Sequence, residues 1–206
     1  MPEPLNHWLT RAYASLYGAD LSESEQPEHG YHCFDDFFTR RLRPGARPIA
    51  EAVLVSPADG KVVSAGRLAD GAVLVAKGQS YSVPELTGIP TDQRGYAAGH
   101  FAVIYLAPGN YHRVHAPVDG RVSQIQATKG DLFPVNAIGE RHIPQLFVRN
   151  LRASIAIDTE SLGRVTVVMV GATIVGRIEV TVCPALLRDE DGNGHAAPPN
   201  GPFQVK

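Results

Sequence analysis

The chain has 206 residues, a formal net charge of −2 at pH 7, 44% hydrophobic residues and 19% charged residues. This length and composition are typical of one well-packed domain, or of one domain with an arm, and they exclude an intrinsically disordered chain. The charge balance argues against a dedicated nucleic-acid binder, because such proteins need a strongly basic face. We therefore expect no nucleic-acid partner.

The N-terminus and the apolar runs indicate neither export nor a membrane span. Met1 is followed by Pro, Glu and Pro, a start that does not predict a signal peptide. The longest apolar stretch, residues 165–175, is far shorter than the roughly 20 residues that a transmembrane helix needs. Cys33 and Cys183 lie far apart and outside any Cys-x-x-Cys pair, which is typical of reduced cytoplasmic thiols.

Two short helices are predicted before residue 44. In EPLNHWLTRAYASLYG (3–18), apolar residues recur at helical spacing and Gly18 provides a stop. This stripe covers either the domain's own core or a membrane interface, with Trp8 near the headgroups. A second helix is predicted in CFDDFFTRRLRPGARPI (33–49), with a phenylalanine-rich face and a basic end, Arg40–Arg43. That end is either simply solvated or in contact with anionic headgroups.

From residue 53 onward, the pattern is one of short β-strands separated by Gly, Pro and Asp. The predicted strands are VLVS (53–56), KVVSAGRL (61–68), AVLVAKG (72–78), HFAVIYLA (100–107), GRVSQIQAT (120–128), ASIAIDT (153–159), RVTVVMV (164–170) and IVGRIEVTV (174–182). No helix of useful length is predicted between them. The pattern favours a mainly β (α+β) fold, an antiparallel β-sandwich or open barrel with short N-terminal helices.

Three regions are expected along the chain. Residues 1–30 form an amphipathic helix and a linker, and residues 31–182 form the β domain. Residues 183–206 are rich in Pro, Gly, Asp and Asn, which predicts a flexible tail.

Two segments share the pattern Pro-x-Asp-Gly-basic-Val. They are SPADGKVVS (56–64) and APVDGRVSQ (116–124). Pro fixes φ, Asp caps the turn and Gly accepts a positive φ, so both segments predict hairpin corners. Similar turns occur in lipoyl and biotinyl hammerhead domains. For Asp119 we favour this structural role over a catalytic one.

The densest group of titratable residues is YHRVHAPVDG (111–120), directly after a predicted strand. In an extended segment, residues three apart point to opposite faces, so His112 and His115 should have different roles. They form only an i, i+3 pair with no third ligand nearby, so no metal site is expected. If the two corners meet in space, Asp59 orients one imidazole and creates a general base for a hydroxyl. These residues alone provide a base without a nucleophile.

Seven segments, in order, resemble the phosphatidylserine decarboxylase family: FFTRRLRPGARPI, SPADGKV, AKGQSYSV, YHRVHAPVDG, GDLFPVN, IPQLFVRN and VGATIVGRIEV. The resemblance extends from about Tyr31 to Val182. It implies a peripheral enzyme at the cytoplasmic face of a membrane that converts phosphatidylserine to phosphatidylethanolamine and carbon dioxide. It also implies a self-derived pyruvoyl group, made when the serine of a Gly-Ser-Thr sequence attacks the preceding carbonyl and the proenzyme splits into a β chain and a pyruvoyl-bearing α chain.

The resemblance assigns catalytic roles to three residues. Asp59 and His115 match the pair that activates the serine, which needs a base to become a nucleophile. His112 matches the histidine that transfers a proton during decarboxylation. The pyruvoyl carbonyl serves as the electron sink for the substrate amine.

The resemblance also implies a substrate site and partners. Phe133 and Asn136 match a loop that lines this site, and Tyr111 and Arg113 are candidates for holding the headgroup. The expected partners are phosphatidylserine in a membrane surface, a pyruvoyl-bearing α chain, and a second copy of the chain in a homodimer.

No Gly-Ser-Thr or Gly-Ser-Ser occurs in the 206 residues. We therefore expect the β-chain portion of such an enzyme, inactive without an α chain that carries the pyruvoyl group. A β subunit separated from its partner, a truncated product and a protein that has lost the chemistry all stay open, and the full motif set favours the first two. The alternative function is a non-catalytic hammerhead-like β module that binds phospholipid headgroups or a protein partner.

Overall fold

The structure is a computed structural model that describes residues 3–76, 78–90, 96, 98–181, 194–196 and 203–205. In these ranges the helices are α1 (Glu3–Tyr17), α2 (Phe34–Phe38), α3 (Val83–Thr87), α4 (Ala137–His142) and α5 (Leu146–Arg149). The strands are β1 (Lys61–Arg67), β2 (Val73–Ala76), β3 (Gln79–Ser82), β4 (His100–Tyr105), β5 (Gly120–Thr128), β6 (Arg152–Asp158), β7 (Arg164–Val170), β8 (Gly194–Ala196) and β9 (Phe203–Val205). None of the helices in the described part of the chain has the length and apolarity to cross a bilayer.

The strands form antiparallel sheets with a few short helices, which confirms the predicted α+β class; in the described ranges no sheet closes into a barrel. The chain divides into two compact units, residues 1–63 with 104–117, and residues 64–103 with 118–206. This division falls within β1 and within β4, which pair with each other.

In the first unit, α1 and α2 pack through aromatic rings. The Tyr13 ring lies 4.9 Å from that of Phe34 and 5.8 Å from that of Phe37, which is fully buried. On α1, however, Trp8 and Leu16 are 64% and 76% exposed. One part of the apolar stripe of α1 therefore covers the unit's own core, whereas another part is exposed, and its contact with a membrane interface stays a prediction.

In the second unit, the central element is a sheet in the order β7-β6-β5, with β8 and β9 each pairing with β5. β6 pairs with β7 from Arg152 opposite Val170 to Asp158 opposite Arg164. The side chains of Ile125 and Ala153 are fully buried in this sheet. Burying a large branched side chain such as that of Ile125 stabilises the unit by roughly 1.5–3 kcal/mol.

A separate hairpin of the second unit pairs β2 with β3 around Leu74 and Tyr81. Helix α3 follows directly, and the hydroxyl of Ser82 accepts a hydrogen bond from the backbone N–H of Glu85 at its N-terminus. The sequence did not predict β3, because QSYS is largely polar, nor α3, α4 and α5. These helices have only 5, 6 and 4 residues, too few to show a helical period.

Two predicted strands do not form. Residues 53–56 are a bend rather than a strand, since Pro57 interrupts the ladder and only Val55 N–H binds the carbonyl of Pro117. Within residues 174–182 the described part holds only isolated bridges, because the chain turns back at Ala172–Val175. Of residues 183–206, the structure describes only β8 and β9; the predicted flexible tail otherwise lies outside the described residues, as does Cys183.

The glycines of the two Pro-x-Asp-Gly corners have a different role from the one expected. Neither Gly60 nor Gly120 has a positive φ. Instead, a Cβ at Gly60 would lie 2.6 Å from the carbonyl oxygen of Tyr105, and a Cβ at Gly120 would lie 2.7 Å from that of Asp158. Both corners need glycine because a carbonyl of a neighbouring segment approaches too closely for a side chain.

Candidate active site

Within the first unit, the segment that carries Asp59 lies directly against the histidine segment, residues 109–115. The backbone N–H of His115 donates to the carbonyl of Pro57 over 2.8 Å. Just beyond, Val55 N–H donates to the carbonyl of Pro117 over 2.9 Å. These backbone bonds bring together the Asp59 corner and the histidine segment, which the sequence places more than 50 residues apart.

His115 is exposed and shares a hydrogen bond with a tyrosine. The hydroxyl of Tyr111 lies 2.9 Å from Nε2 of His115, and the two rings stack with centroids 5.6 Å apart. Tyr111 is only 8% exposed. Burial raises the pKa of its phenol above the ordinary value, and the nearby charge of Asp59 acts in the same direction. The phenol therefore stays neutral and holds the imidazole in place.

Asp59 is held by an arginine. Arg47 donates from Nε to Oδ2 of Asp59 over 2.7 Å and also pairs with Glu23 over 2.8 Å. The two carboxylates, Glu23 first, hold the pKa of Arg47 above its usual range. In the described part of the chain, no hydrogen bond joins Asp59 to the His115 ring. Asp59 is instead close enough to Tyr111 to influence it, which places Asp59, Tyr111 and His115 in one neighbourhood.

His112 has the opposite environment. Its ring stacks on Phe38 with centroids 3.9 Å apart and planes at 22°. Its Nε2 is buried and, among the described residues, has no hydrogen-bond partner. Burial lowers the pKa of His112 to about 4, although the carbonyls of Pro108 and Ala107 favour the protonated ring. His112 is therefore neutral at neutral pH, and its Nε2 lone pair is free to accept a proton.

Helix α2 ends at Phe38, so the predicted basic end, Arg40–Arg43, follows the helix, and not all of its arginines are exposed to solvent. Arg40 is 4% exposed; its Nε donates to the hydroxyl of Ser24, and its NH2 donates to the carbonyls of Gly109 and Asn110. Burial lowers the pKa of its guanidinium. Of the two alternatives for this basic end, neither solvation nor headgroup contact therefore applies to Arg40. A run of arginines in a sequence does not reveal which one turns inward.

Arg113 is exposed, and its Nε donates to the carbonyl of Thr39 over 2.7 Å. It borders an open groove of about 360 Å³, which Arg41 and His32 also line. A smaller polar cavity of about 140 Å³ lies beside the Asp59 neighbourhood. Its lining includes Glu23, Arg40, Arg47, Asp59, Asn110 and Tyr111.

The other two predicted site residues, Phe133 and Asn136, belong to the second unit. The side chain of Asn136 caps α4, since its Oδ1 accepts from the backbone N–H groups of Ile138 and Gly139, each over 3.1 Å. The guanidinium of Arg149 lies 4.5 Å from the centroid of the Phe133 ring. The loop before α4 therefore has a defined conformation.

The sequence analysis did not identify Asn150, which holds this loop. The fully buried Asn150 side chain accepts from Phe133 N–H over 3.1 Å and donates to the carbonyls of Phe133 and Gly171, each over 2.8 Å. Replacing a fully bonded buried amide leaves backbone groups unpaired, which costs about 1–3 kcal/mol each. Arg47 and Arg40 were missed in the same way; all three lie in the segments that carry the family resemblance, which was the only available signal.

Comparison with known proteins agrees with the resemblance. The family model for phosphatidylserine decarboxylase matches residues 34–199. A phosphatidylserine decarboxylase proenzyme of Acinetobacter baylyi is 45% identical over 177 residues, which cover 84% of this chain and 62% of that protein. The proenzyme of Shewanella sp. (strain ANA-3) is 46% identical over 171 residues, covering 81% and 58%. The chain therefore spans about six tenths of the length of the curated relatives it matches.

Proposed function

The chain belongs to the phosphatidylserine decarboxylase family, and from this premise we propose that it forms the β-chain portion of a pyruvoyl-dependent enzyme that converts phosphatidylserine to phosphatidylethanolamine and carbon dioxide. The observation that carries the proposal is the contrast between two histidines of one segment. His115 is exposed and hydrogen-bonded to Tyr111, whereas His112 is half-buried, with its Nε2 fully buried, and neutral. Such a pair suits two proton-transfer steps of different kinds.

His115 suits the role of base in self-cleavage. Its Nε2 is within hydrogen-bond distance of Tyr111 and is reached from solvent. It accepts the proton of the serine hydroxyl whose reaction cleaves the proenzyme, and the nearby carboxylate of Asp59 stabilises the resulting positive charge. Tyr111 holds the ring in place during this transfer.

His112 suits the role of proton carrier in turnover. Because the ring is neutral, its Nε2 can take the proton that the substrate ammonium loses when its nitrogen becomes a nucleophile, and can then deliver that proton to the carbon that has lost carbon dioxide. The described residues fit a prosthetic carbonyl group. The buried Nε2 of His112 has no hydrogen-bond partner among them, so this atom is left to interact with such a group. When bound, a pyruvoyl group supplies a carbonyl that joins the substrate amine and withdraws electrons from it. Arg113, with donors left beyond its bond to Thr39, is suited to the phosphate of the headgroup.

The decisive experiment is a denaturing intact-mass spectrum of the protein purified from its native source. We expect a second, shorter chain whose N-terminus is a pyruvoyl group, and decarboxylation of phosphatidylserine by the assembled protein. A single species without a pyruvoyl group, unable to release carbon dioxide, would contradict the proposal. It would favour the headgroup-binding module instead.

The same function requires access to lipid, and we propose that α1 docks on the membrane surface. Trp8 and Leu16 are largely exposed on α1, and Tyr17 is 44% exposed. These side chains suit the interfacial region of a bilayer, where aromatic rings meet headgroups. Arg11, also exposed, adds attraction to anionic lipids.

Trp8 is a direct reporter of this docking, because it is the only tryptophan in the sequence. We expect its fluorescence to shift to the blue when vesicles of phosphatidylserine and phosphatidylcholine are added. Leu16→Ser should weaken binding about 10-fold, the expected loss for one large apolar side chain. The control is Leu162→Ser, which alters a 46% exposed leucine of the second unit, against 76% for Leu16. An unshifted Trp8 spectrum at saturating vesicle concentration would overturn docking by α1.

A further inference from the structure

We propose that Phe38 and Arg40, in the turn that ends α2, are positioning residues that hold the histidine segment in its working conformation. The proposal rests on the proposed function for its biological meaning. Its geometry lies entirely within the first unit, so that it can be tested apart from decarboxylation. Neither residue touches the reacting groups directly in the proposed mechanism; both act through His112.

Three side chains, Phe38, Arg40 and Arg113, join residues 38–40 to the histidine segment, one by ring stacking and two by hydrogen bonds to carbonyls. The Phe38 ring stacks on the His112 ring at 3.9 Å. The guanidinium of Arg40 donates to the carbonyls of Gly109 and Asn110 over 3.1 and 3.3 Å. The third contact is the bond from Arg113 to the carbonyl of Thr39. The backbone is therefore held on both sides of His112, and its ring is held from one face.

We call these contacts of Phe38, Arg40 and Arg113 the clamp. It takes the place of regular secondary structure in this part of the chain. Residues 106–116 belong to no helix or strand, so no ladder of backbone hydrogen bonds sets their conformation. An irregular segment of this kind keeps a defined shape only if side chains satisfy its carbonyl groups. Arg40 does this for two consecutive carbonyls immediately before Tyr111.

A buried arginine is needed for this role. In the described part of the chain, the 4% exposed Arg40 forms no salt bridge; it binds the hydroxyl of Ser24 and backbone carbonyls. Burying a cation without a carboxylate partner is costly, and it is tolerated where each donor finds an acceptor. The planar fork of a guanidinium spreads its donors over three nitrogens and reaches these acceptors at once, whereas a lysine ammonium holds its three donors on one nitrogen and cannot.

The clamp also accounts for the state of His112. Stacking against Phe38 contributes to the burial that is the largest cause of its lowered pKa. The positive charge of Arg40 acts in the same direction, and Arg40 is the charged side chain that influences the ring among the described residues. Loosening the clamp should therefore let water reach the ring and raise its pKa.

The test is a titration of the His112 ring nitrogens by ¹⁵N NMR in the 206-residue chain, comparing wild type with Arg40→Lys and Phe38→Leu. In the wild type, the midpoint should lie at about 4. Arg40→Lys keeps the positive charge but loses the fork, so any rise toward the ordinary value of 6.5 reports lost positioning and not lost charge repulsion. We expect a rise of about one pH unit or more in both variants.

Arg41→Lys is the matched control, because Arg41 is the next residue and is exposed, no hydrogen bond joins its side chain to the histidine segment in the described structure, and the substitution keeps the charge that acts on Tyr111. It should titrate like the wild type. Circular dichroism confirms that each variant is folded before its midpoint is compared. If folded Arg40→Lys keeps the wild-type His112 midpoint, the clamp is wrong, even if phosphatidylserine turnover is normal. If the midpoint moves but no decarboxylation is ever found, the clamp holds and the proposed function fails.

Discussion

The histidine segment and the β5–β6–β7 sheet are held in place by different forces. In the sheet, backbone ladders fix the register, and fully buried side chains such as Ile125 and Ala153 fill the core. In the histidine segment no ladder exists, and a stacked Phe38, a buried Arg40 and one backbone bond to Pro57 hold the chain. Substitutions in the sheet should therefore alter stability, whereas substitutions in the histidine segment should alter chemistry while leaving the fold intact.

Under the proposed function, the largest expected effect is that of His115→Ala on self-cleavage of a proenzyme that carries both this chain and the cleavage site. Removing a general base typically costs 10²–10⁴-fold in rate, roughly, so cleavage should be undetectable over hours. Gel electrophoresis of freshly made protein measures the uncleaved fraction. Asp119→Ala serves as the control, since Asp119 is exposed and we assign it a turn role. Normal cleavage of the His115→Ala variant would contradict the role of His115 as the base in self-cleavage.

His112→Ala should separate self-cleavage of the proenzyme from decarboxylation of the substrate. Cleavage of the proenzyme should proceed at the wild-type rate, while carbon dioxide release should fall about 100-fold because the proton carrier is gone. Both quantities can be followed in one preparation, by gel and by trapping of labelled carbon dioxide. Unchanged turnover would refute the role of His112, and blocked cleavage would show that the two histidines do not divide the work as proposed.

In the sheet, Ile125→Ala should lower the free energy of unfolding by about 2–5 kcal/mol, because it leaves a cavity at a fully buried position. Urea denaturation of the 206-residue chain measures this. Val75→Ala offers a comparison at a 53% exposed strand position, where about 1 kcal/mol or less is expected. Equal losses at the two positions would contradict the assignment of Ile125 to the core.

The smallest expected effect is on the pH dependence of the free energy of unfolding. The pKa of His112 is about 4 in the folded chain against 6.5 for an ordinary histidine, so between these values the unfolded chain binds the proton more readily. The free energy of unfolding should therefore fall as the pH is lowered from 6.5 to about 4, by at most about 3 kcal/mol from this residue.

His112→Gln should remove that share of the pH dependence. The two proteins are compared by urea denaturation at several pH values, and the difference between their curves isolates His112 from the other titrating groups. Parallel curves across this range would show that His112 titrates normally in the folded chain, contrary to its buried position on Phe38.

Local patterns predicted the regular elements well where those elements are long. The helical stripe of residues 3–18 corresponds to α1, and the alternating runs correspond to β5, β6 and β7. The short α3, α4 and α5 escaped prediction because fewer than two turns carry no measurable period. Residues 53–56 do not form a strand because a strand needs a hydrogen-bonded partner along its length. In this segment only Val55 makes such a backbone hydrogen bond.

The candidate site was predictable in its residue types but not in its contacts. Spacing alone indicated that His112 and His115 face different environments, and the structure buries one and exposes the other. The spacing did not indicate that Arg47, rather than a histidine, would bind Asp59, or that Tyr111 would bind His115. Partners distant in sequence depend on how the chain folds back, and a single sequence contains no direct record of that.

The strand-rich composition, the amphipathic first helix and the order of the family's motifs are readable from local periodicity and residue type. Tertiary packing selects which arginine is buried, which carbonyls need glycine opposite them and which histidine is neutral. The physical reason is that burial and pairing are properties of residues brought together from distant segments. Arg40 and Arg41 are chemically alike and adjacent in sequence, yet one lies inside the protein and the other in solvent.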